Sequence, residues 1–346
     1  MKDKKNNKLL IIGPSPLAVG GVAVHIRRLS FLLQDLFDIQ YVDEGRTKYE
    51  GMFNLRSFNL IKYFSLVKSS NIIHIHSGSL LLRIFHIVMC KLVFGKKTIV
   101  TIHRDVTREK CLSLTKLFVK KCDSLIVVNE KCYNIFKDTV KSLQLIPAFI
   151  PPVIDNEPEL PQEILGWIDK CRCSKDSVIM VSNAGNLVMH DGCDLYGLDL
   201  CLEAMKSLVA TKKNYYLLFV VADNNSNREL LEVYKDFIKS HNLEDNVLIW
   251  ESGLSFVKLI NLSDIVLRAT NTDGDALTIR EALFFGKTVI ASDVIDRPSG
   301  TILFKNRDAG SLVEAIVTVT TDNAPNNKEQ KVSMDDYRNL YLNIYN

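Results

Sequence analysis

The sequence lacks the motifs of several large enzyme classes. No Gly-x-Gly-x2-Gly run is present, so a nicotinamide or flavin cofactor held in a dinucleotide fold has little support. There is also no Gly-x-Ser-x-Gly elbow and no evident setting for a catalytic cysteine, which argues against chemistry through an enzyme nucleophile. We therefore expect a protein that works without a bound cofactor.

Cysteine pairs with metal-ligand spacing are missing as well. The eight cysteines are scattered along the chain, and the two closest are Cys171 and Cys173. Without a Cys-x2-Cys pair, a zinc site built from cysteines is not indicated. The pattern predicts reduced, mostly buried thiols in a cytosolic protein.

Apolar runs long enough to cross a membrane are absent. The run Leu9–Ile12 is too short for the core of a signal peptide. The segment Leu80–Phe94 is strongly apolar, but Arg83, His86 and Lys91 interrupt it and it is shorter than the roughly 20 residues of a spanning helix. We expect a buried crossover helix there, with an interfacial membrane helix as the alternative.

Charge is unevenly divided along the chain. Residues 1–150 contain 24 Lys and Arg against 11 Asp and Glu, whereas residues 151–346 contain 19 against 29. The net charge of +3 for the whole chain thus hides a basic first half and an acidic second half. A basic half suits an anionic membrane surface, a lipid diphosphate or a nucleic acid, and an ordinary solvated surface is the alternative.

Strand-like apolar runs alternate with helix-period segments through both halves of the chain. This alternation is typical of parallel sheets with crossover helices, so we predict an α/β protein with two doubly wound domains and a cleft between them. The strands are predicted at residues 8–15, 71–77, 97–103, 124–129, 177–182, 215–223, 247–252, 264–270 and 288–293.

The alternation stops between Pro147 and Pro161, a stretch with five prolines and an acidic string. We therefore place the first domain at residues 1–150, a linker at 151–165 and the second domain at 166–325. Apolar residues recur at helical spacing near the end of the chain. Residues 326–346 are expected to form a helix that docks back on the body of the protein.

A glycine pair follows the first predicted strand. Gly20 and Gly21 precede a helix predicted from Val22. Such a pair lets a ligand approach the backbone, and a helix N-terminus favours a phosphate or a developing negative charge. An ordinary turn explains the pair equally well when it is taken alone.

Two strands of the first half end in histidine. His76 and His103 fall at the carboxyl ends of their predicted strands, where open parallel sheets bind ligands. His74 shares the face of His76 and also fits a satisfied core histidine. We favour His103 as the functional residue because it lies beside a charged loop.

The most informative pattern lies in the second half, after a predicted strand. Asp273 and Gly274 lead into a predicted helix, whose first residues Ala276 and Leu277 would present free backbone amides to a diphosphate. Glu281 follows eight residues after Asp273. The two carboxylates would accept hydrogen bonds from hydroxyls of a sugar and of a ribose.

Structural interpretations of the same residues remain open at this point. Asp273 and Asp275 would cap the helix, and Glu281 would pair with a surface lysine. Asp273-Gly274-Asp275 also spells a possible divalent-metal site, although a match of three residues is common by chance.

Four segments of the chain occur together in one known family of enzymes. They are the glycine loop Gly20-Gly21-Val22, the strand end Thr101-Ile102-His103, the block from Asp273-Gly274 to Glu281-Ala282, and the run from Gly286 to Ser292. On these segments the sequence resembles the family 4 glycosyltransferases over nearly its whole length. The resemblance implies the glycosyltransferase B fold, in which two Rossmann-like domains face each other across a cleft, and sugar transfer with retention.

The resemblance also implies roles for single residues. Glu281 matches the second glutamate of the family's Glu-x7-Glu motif, which binds the ribose of the nucleotide. Asp273 stands where the first glutamate, which touches the donor sugar, is usual, so its carboxylate is one methylene shorter. Gly20 and Gly21 match the loop that meets the donor phosphate or sugar, and His103 matches a histidine near the reacting centre.

One feature of the family is missing. An Arg and Lys pair usually clamps the donor diphosphate, but here Tyr196-Gly197 replaces Lys-Gly, and no Arg or Lys lies between Lys175 and Lys206. The charge of the diphosphate must then be offset by helix amides, by His190 or by Arg297.

The resemblance therefore implies a cytoplasmic, metal-independent glycosyltransferase that uses a nucleotide diphosphate sugar. Its acceptor would be a lipid-linked or other saccharide in bacterial lipopolysaccharide, O-antigen or capsule synthesis. The basic half would make peripheral contact with the anionic inner face of the plasma membrane, and no nucleic acid partner is expected. A sugar-nucleotide epimerase of similar fold and a catalytically silent partner subunit, which the missing clamp motivates, are the alternatives.

Overall fold

The computed structural model of the protein describes residues 7–18, 20–103, 106, 111–174, 176–211, 214–223, 227–273, 276–321 and 334–345. Contacts within the chain divide it after Ile150 into two compact units. The helix near the end of the chain belongs to the first unit.

The first unit is built on a sheet of seven parallel strands. These are β1 (Lys8–Gly13), β2 (Asp38–Asp43), β3 (Phe53–Asn54), β4 (Ile72–Ile75), β5 (Lys97–Ile102), β6 (Ser124–Val127) and β7 (Leu143–Leu145). The helices that connect them are α1 (Gly21–Leu33), α2 (Leu60–Ser69), α3 (Leu80–Ile87), α4 (Leu112–Val119) and α5 (Glu130–Phe136). The strand order is β3-β2-β1-β4-β5-β6-β7, so the direction of strand addition reverses between β1 and β4.

The second unit contains a sheet of six parallel strands and a short antiparallel hairpin. The strands are β8 (Val178–Ala184), β9 (Met189–His190) and β10 (Cys193–Asp194), which form the hairpin, β11 (Tyr215–Val221), β12 (Val247–Trp250), β13 (Ile265–Arg268), β14 (Thr288–Ser292) and β15 (Thr301–Phe304). The helices are α6 (Gln162–Arg172), α7 (Leu198–Val209), α8 (Arg228–Ser240), α9 (Phe256–Leu262), α10 (Leu277–Phe284) and α11 (Ala309–Thr321). The order β12-β11-β8-β13-β14-β15 reverses between β8 and β13.

Both sheets follow the doubly wound order, with their strands paired in parallel and most of them joined to the next by a crossover helix; β2 and β3, and β14 and β15, are joined by loops. The prediction of an α/β protein with two Rossmann-like domains is thereby confirmed. Alternate residues of a strand pack on opposite faces: Leu10 and Ile12 belong to one core of the first unit, and Leu9 and Ile11 to the other.

The last helix, α12 (Met334–Tyr345), packs on the first unit. Its residues Tyr341 and Tyr345 are buried in the core that also contains Leu9 and residues of α1. The backbone carbonyl of Tyr345 accepts a hydrogen bond from Nζ of Lys97 at 2.9 Å. The helix therefore completes one face of the first sheet.

The stretch predicted as a linker, residues 151–165, clusters with the second unit. Helix α6 begins inside it, at Gln162. Oγ of Ser255, at the start of α9, donates to Oε2 of Glu157 at 3.1 Å, and Lys258 pairs with Glu159. The stretch is thus held by the second unit through its side chains, and the boundary predicted at residue 325 lies outside the described residues.

The segment Leu80–Phe94, predicted as a buried crossover helix, forms α3 and a following π-helical turn over Val88–Val93. Arg83 and His86 are buried, whereas Leu81 is 77% exposed. The segment is therefore buried on one side. Across the described residues no helix is long and apolar enough to span a membrane.

Candidate functional sites

The two sheets each offer one edge at which a ligand is expected. Doubly wound sheets bind ligands beyond the carboxyl ends of their strands, next to the point where the strand order reverses. That point lies between β1 and β4 in the first unit and between β8 and β13 in the second. The candidate residues of each unit gather near these points.

The glycine pair occupies the turn that leads into α1. Gly20 is the N-cap of α1 and has φ of 130°, a conformation that residues with side chains rarely adopt. A Cβ at Gly20 would meet no atom within 4 Å, so the backbone conformation requires the glycine and space beside it is open. Gly21 is the first residue of the helix, whose leading amides would suit a negatively charged group.

Three histidines from three elements meet at the carboxyl edge of the first sheet. His25 lies on α1, His76 follows β4 and His103 follows β5. Nδ1 of His76 and Nε2 of His103 are 2.9 Å apart. One ring nitrogen from each of the three lies within 4.8 Å of those of the other two. His103 thus belongs to a cluster, and His25 is a member that the sequence did not indicate.

Hydrogen bonds hold the ring of His25 in one orientation. Its Nδ1 donates to the carbonyl oxygen of Ala148 at 2.7 Å, which leaves the lone pair on Nε2. The hydroxyl of Tyr341 lies 3.3 Å from that Nε2. Among the described residues, the buried Nε2 of His76 has no hydrogen-bond partner.

The three imidazoles are neutral near pH 7. Burial lowers the pKa of His25 to about 4 and is also the largest cause that holds the pKa of His76 and of His103 well below the usual 6.5. Repulsion from neighbouring histidines lowers the latter two pKa values further. Neutral imidazoles at this edge can accept or donate hydrogen bonds without adding charge.

His74, on β4, has a structural role. Its Nδ1 is 2.7 Å from the hydroxyl of Tyr345 and its Nε2 is 2.7 Å from Oγ1 of Thr101. Both ring nitrogens are engaged and the side chain is fully buried. The interpretation of His74 as a satisfied core histidine therefore fits the structure.

In the second unit, the carboxylate of Asp273 binds two arginines, Arg268 and Arg297, which we call the arginine pair. Nε and NH2 of Arg268 donate to its two carboxylate oxygens, both at 2.9 Å, in a bidentate contact. NH1 of Arg297 donates to Oδ2 at 2.8 Å and Oγ1 of Thr270 donates to the same oxygen at 3.1 Å. The carboxylate that was predicted to touch a donor sugar thus orients two guanidinium groups.

The arginine pair keeps Asp273 ionised. Burial acts to raise the pKa of Asp273, but hydrogen bonds and charge from Arg268 and Arg297 outweigh it, and the pKa lies below the usual 3.8. Among these three side chains, two positive groups face one negative group at the edge where a diphosphate is expected.

The two arginines differ in access. The side chain of Arg297 is 2% exposed, and it also donates to the carbonyl oxygen and Oγ of Ser292. The side chain of Arg268 is 13% exposed, and its guanidinium carbon lies 5.5 Å from the ring centroid of Tyr196. Arg268, which the sequence reasoning missed, is therefore the member that a ligand can reach, and Arg297 supports it.

Tyr196-Gly197, which stands where the family usually has Lys-Gly, is held by the buried carboxylate of Asp194. Oδ1 of Asp194 accepts from the amides of Tyr196 and Gly197, and Oδ2 accepts from the hydroxyl of Tyr234 at 2.7 Å. Gly197 has φ of 73°, and a Cβ on it would come within 2.1 Å of the carbonyl oxygen of Ala269. Only glycine fits there, which sets Tyr196 beside Arg268.

The predicted helix after Asp273 is present as α10, with Ala276 as N-cap and Leu277 as first residue. The methyl side chain of Ala276 cannot cap the helix, and Gly274 and Asp275 lie outside the described residues. Glu281 is on α10 and only 6% exposed, so it is a buried carboxylate and not a surface one.

His190 lies at the tip of the β9–β10 hairpin. Its ring is about half exposed, and Nε2 is 3.4 Å from a carboxylate oxygen of Asp191. Its carbonyl oxygen accepts from Nδ2 of Asn271 at 2.8 Å, which ties the hairpin to the loop after β13. His190 thus contacts the loop after β13, which leads to Asp273, through its backbone carbonyl and not through its ring.

A comparison with protein families finds a match within the second unit. Residues 183–322 match the family model described as glycosyl transferases group 1. The matched range contains the Asp273 cluster, α10 and the hairpin. No curated protein matches the chain.

Solved structures share the fold of the whole chain. The Anabaena protein Alr3699/HepE, solved in complex with UDP, is 12% identical with a TM-score of 0.65 and covers 96% of this chain and 94% of its own. A glycosyltransferase from Rickettsia africae is 15% identical with a TM-score of 0.67 and covers 98% and 94%. TarM of S. aureus, solved with UDP among its ligands, is 12% identical with a TM-score of 0.62 and covers 98% and 100%. Most of the second unit thus resembles group 1 glycosyl transferases, and the chain as a whole shares the two-domain fold of these solved structures.

Proposed function

We propose that this protein transfers a sugar from a nucleoside diphosphate sugar to a lipid-linked or other saccharide acceptor in bacterial lipopolysaccharide, O-antigen or capsule synthesis. The single observation that carries the donor part is the arginine pair around Asp273. A diphosphate needs cations where the family's Arg and Lys are missing, and Arg268 and Arg297 supply them from another strand and loop.

Arg268 is assigned as the residue that contacts the diphosphate. Asp273 occupies Nε and NH2 of Arg268, so the guanidinium is held in one orientation and its remaining N–H groups point elsewhere. Asp273 and Arg297 act as positioning residues in this proposal. The amides at Ala276 and Leu277 add the positive end of the α10 dipole.

Glu281 is assigned to the ribose of the nucleotide, as in the family that the chain resembles. A buried carboxylate accepts hydrogen bonds from hydroxyls strongly, because water competes little for it. Gly20, Gly21 and His103 are assigned to the donor sugar and the reacting centre. His190 is a weaker candidate for the diphosphate because its ring lies against Asp191.

Transfer with retention then depends on positioning and charge. The positive groups stabilise the leaving diphosphate, and its departing oxygen helps to deprotonate the incoming hydroxyl on the same face of the sugar. No enzyme nucleophile and no metal is assigned a step. UDP-sugars are the first donors to test because HepE was solved with UDP and with UDP-glucose.

Donor turnover tests the proposal. Purified protein is incubated with UDP-, GDP- and dTDP-sugars, membrane lipid extract and EDTA, and the released nucleoside diphosphate is quantified. We expect release with one donor that requires the extract, and a rise in donor KM of roughly 10- to 100-fold in Glu281→Gln, because a hydrogen bond to a charged group contributes about 1.5–3 kcal/mol.

Glu229→Gln, an exposed glutamate on α8, is the matched control and should keep the wild-type KM. Conversion of a donor without extract would favour an epimerase over a transferase. No release with any donor, together with no binding of UDP, GDP or ADP by calorimetry, would favour a silent subunit.

A cytoplasmic location with peripheral membrane contact through the first unit is also part of the proposal. Phe58, two residues before α2, and Ile61, the second residue of α2, are each 84% exposed. Arg56 and Lys62 flank them in the chain. Exposed apolar side chains beside basic ones suit the interface of an anionic membrane, where a lipid-linked acceptor would be met.

Vesicle sedimentation tests this contact. We expect the protein to bind phosphatidylglycerol vesicles, to be released by high salt, and to lose about tenfold or more of its affinity in the double variant Phe58→Ser/Ile61→Ser. Val233→Ser, at an exposed apolar position of the second unit, is the control. Binding that neither salt nor the double variant weakens would contradict the assignment of this surface.

A further inference from the structure

We propose that His25, His76 and His103 form a binding site for one divalent transition metal ion of the zinc type. The three side chains come from α1 and from the ends of β4 and β5, and a ring nitrogen of each lies within 4.8 Å of the other two. Three histidines with a fourth position open is a known arrangement for such ions.

The distances are close to what an ion requires. With bonds of about 2.0–2.1 Å, two nitrogens on one tetrahedral ion are roughly 3.3 Å apart. Nδ1 of His76 and Nε2 of His103 are already 2.9 Å apart, so an ion between them replaces their mutual hydrogen bond. The remaining nitrogens are at most 4.8 Å apart, so binding an ion requires the rings to move closer by rotation about their side-chain torsions.

A hydrogen bond to the other ring nitrogen orients a metal-binding histidine. The Nδ1–H of His25 is bound by the carbonyl oxygen of Ala148, so Nε2 presents its lone pair, and this backbone contact is the kind that orients metal-binding histidines. The hydroxyl of Tyr341 lies 3.3 Å from that Nε2, a long and weak hydrogen bond that an ion can displace. The buried pocket keeps the rings neutral, the form that binds metal.

The chemistry of the cluster selects the kind of ion. Within the described residues the group holds imidazoles and no carboxylate, which favours Zn²⁺, Ni²⁺ or Co²⁺ over Mg²⁺ and Ca²⁺. His103 is only partly buried, so a water molecule or a ligand oxygen can reach the open position. His74, whose nitrogens both have partners, is not a ligand.

Metal titration of the purified protein tests the site. After EDTA is removed by dialysis, Zn²⁺ is titrated by calorimetry, and Co²⁺ is used as a probe with visible absorption. We expect one Zn²⁺ per chain and the strong absorption of four-coordinate Co²⁺. His103→Gln and His25→Gln should each weaken Zn²⁺ binding by more than about 100-fold, since even second contacts of a metal site contribute roughly 10- to 100-fold.

His241→Gln, at a histidine on the second unit that contacts Phe237, is the matched control and should bind as wild type does. Circular dichroism confirms that each variant is folded, and His103→Gln is the safer variant because this side chain is partly exposed. Equal Zn²⁺ affinity in wild type and His103→Gln, or the weak absorption of six-coordinate Co²⁺, would overturn the site.

One consequence rests on the proposed function. Because His103 is assigned to the reacting centre, Zn²⁺ at the cluster should inhibit sugar transfer, and EDTA should restore it. The binding experiment needs neither donor nor acceptor, so a failure to bind Zn²⁺ and a failure to transfer sugar are separate results.

Discussion

Replacing Arg268 by Gln should lower kcat for sugar transfer by about 100- to 1,000-fold, the range found when one group that stabilises developing charge is removed from an active site. The reason lies in the geometry around Asp273. Arg268 is the more accessible of the two arginines, so its loss removes the cation that a diphosphate at this edge would meet first. Nucleoside diphosphate release under saturating donor measures the effect.

Two further variants test whether the loss of activity in Arg268→Gln comes from the lost charge or from misfolding. Arg228→Gln, at an exposed arginine at the start of α8, should keep the wild-type kcat. Tyr196→Lys introduces a cation next to the Arg268 guanidinium, at the position where the family usually has lysine, and should recover part of the activity of Arg268→Gln. A wild-type kcat in folded Arg268→Gln would remove the arginine pair from the donor site.

Replacing Asp273 by Asn should lower the free energy of unfolding by about 3–5 kcal/mol, because removal of one partner of a buried ion pair leaves the others without compensation. The side chains of Asp273, Arg268 and Arg297 are 7%, 13% and 2% exposed, so water cannot replace the lost charge. Denaturant unfolding of the two proteins at neutral pH measures the difference.

Acid should remove the same contribution from the wild type. The pKa of Asp273 is lowered in the folded protein, so its stabilisation is fully present above the unfolded value near 3.8 and is lost as the pH falls through the lower folded pKa. The difference in unfolding free energy between wild type and Asp273→Asn should therefore shrink below pH 3.8. Asp245→Asn, which removes an exposed pair with Lys170, should leave stability unchanged. A constant difference down to strong acid would contradict the role of this ion pair.

The sequence predicted most strands of the two sheets and missed β2, β3 and β7 in the first sheet and β15 in the second. The strands β1, β4, β5, β8, β11, β13 and β14 are largely buried and read as mainly apolar runs, which periodicity detects; β12 is only partly buried, but its sequence Val-Leu-Ile-Trp is equally apolar. β2 has the sequence Asp-Ile-Gln-Tyr-Val-Asp and is only partly buried, and β7 has three residues. Such strands form because a neighbouring strand offers hydrogen bonds, which a local pattern does not record.

The sequence predicted those candidate residues that directly follow a strand in the chain. His76 and His103 follow buried strands, and both lie at the expected edge of the sheet. The sequence analysis missed His25 because this residue lies on a helix, and only the packing of α1 on the sheet brings it to the edge of the sheet. Arg268 was read as part of a strand, although an arginine that ends the buried run Ile265–Leu267 was a signal that something must neutralise it.

The route of the chain has a consequence for how the protein folds during synthesis. The second unit contains residues of one continuous stretch, whereas the first unit needs α12, and His74 bonds Tyr345 across 271 positions of sequence. The second unit can therefore reach its native contacts while the first still shows an uncovered apolar face around Leu9 and Ile11. The part of the protein made first is therefore completed last, and until α12 docks it exposes apolar surface of the kind that promotes aggregation.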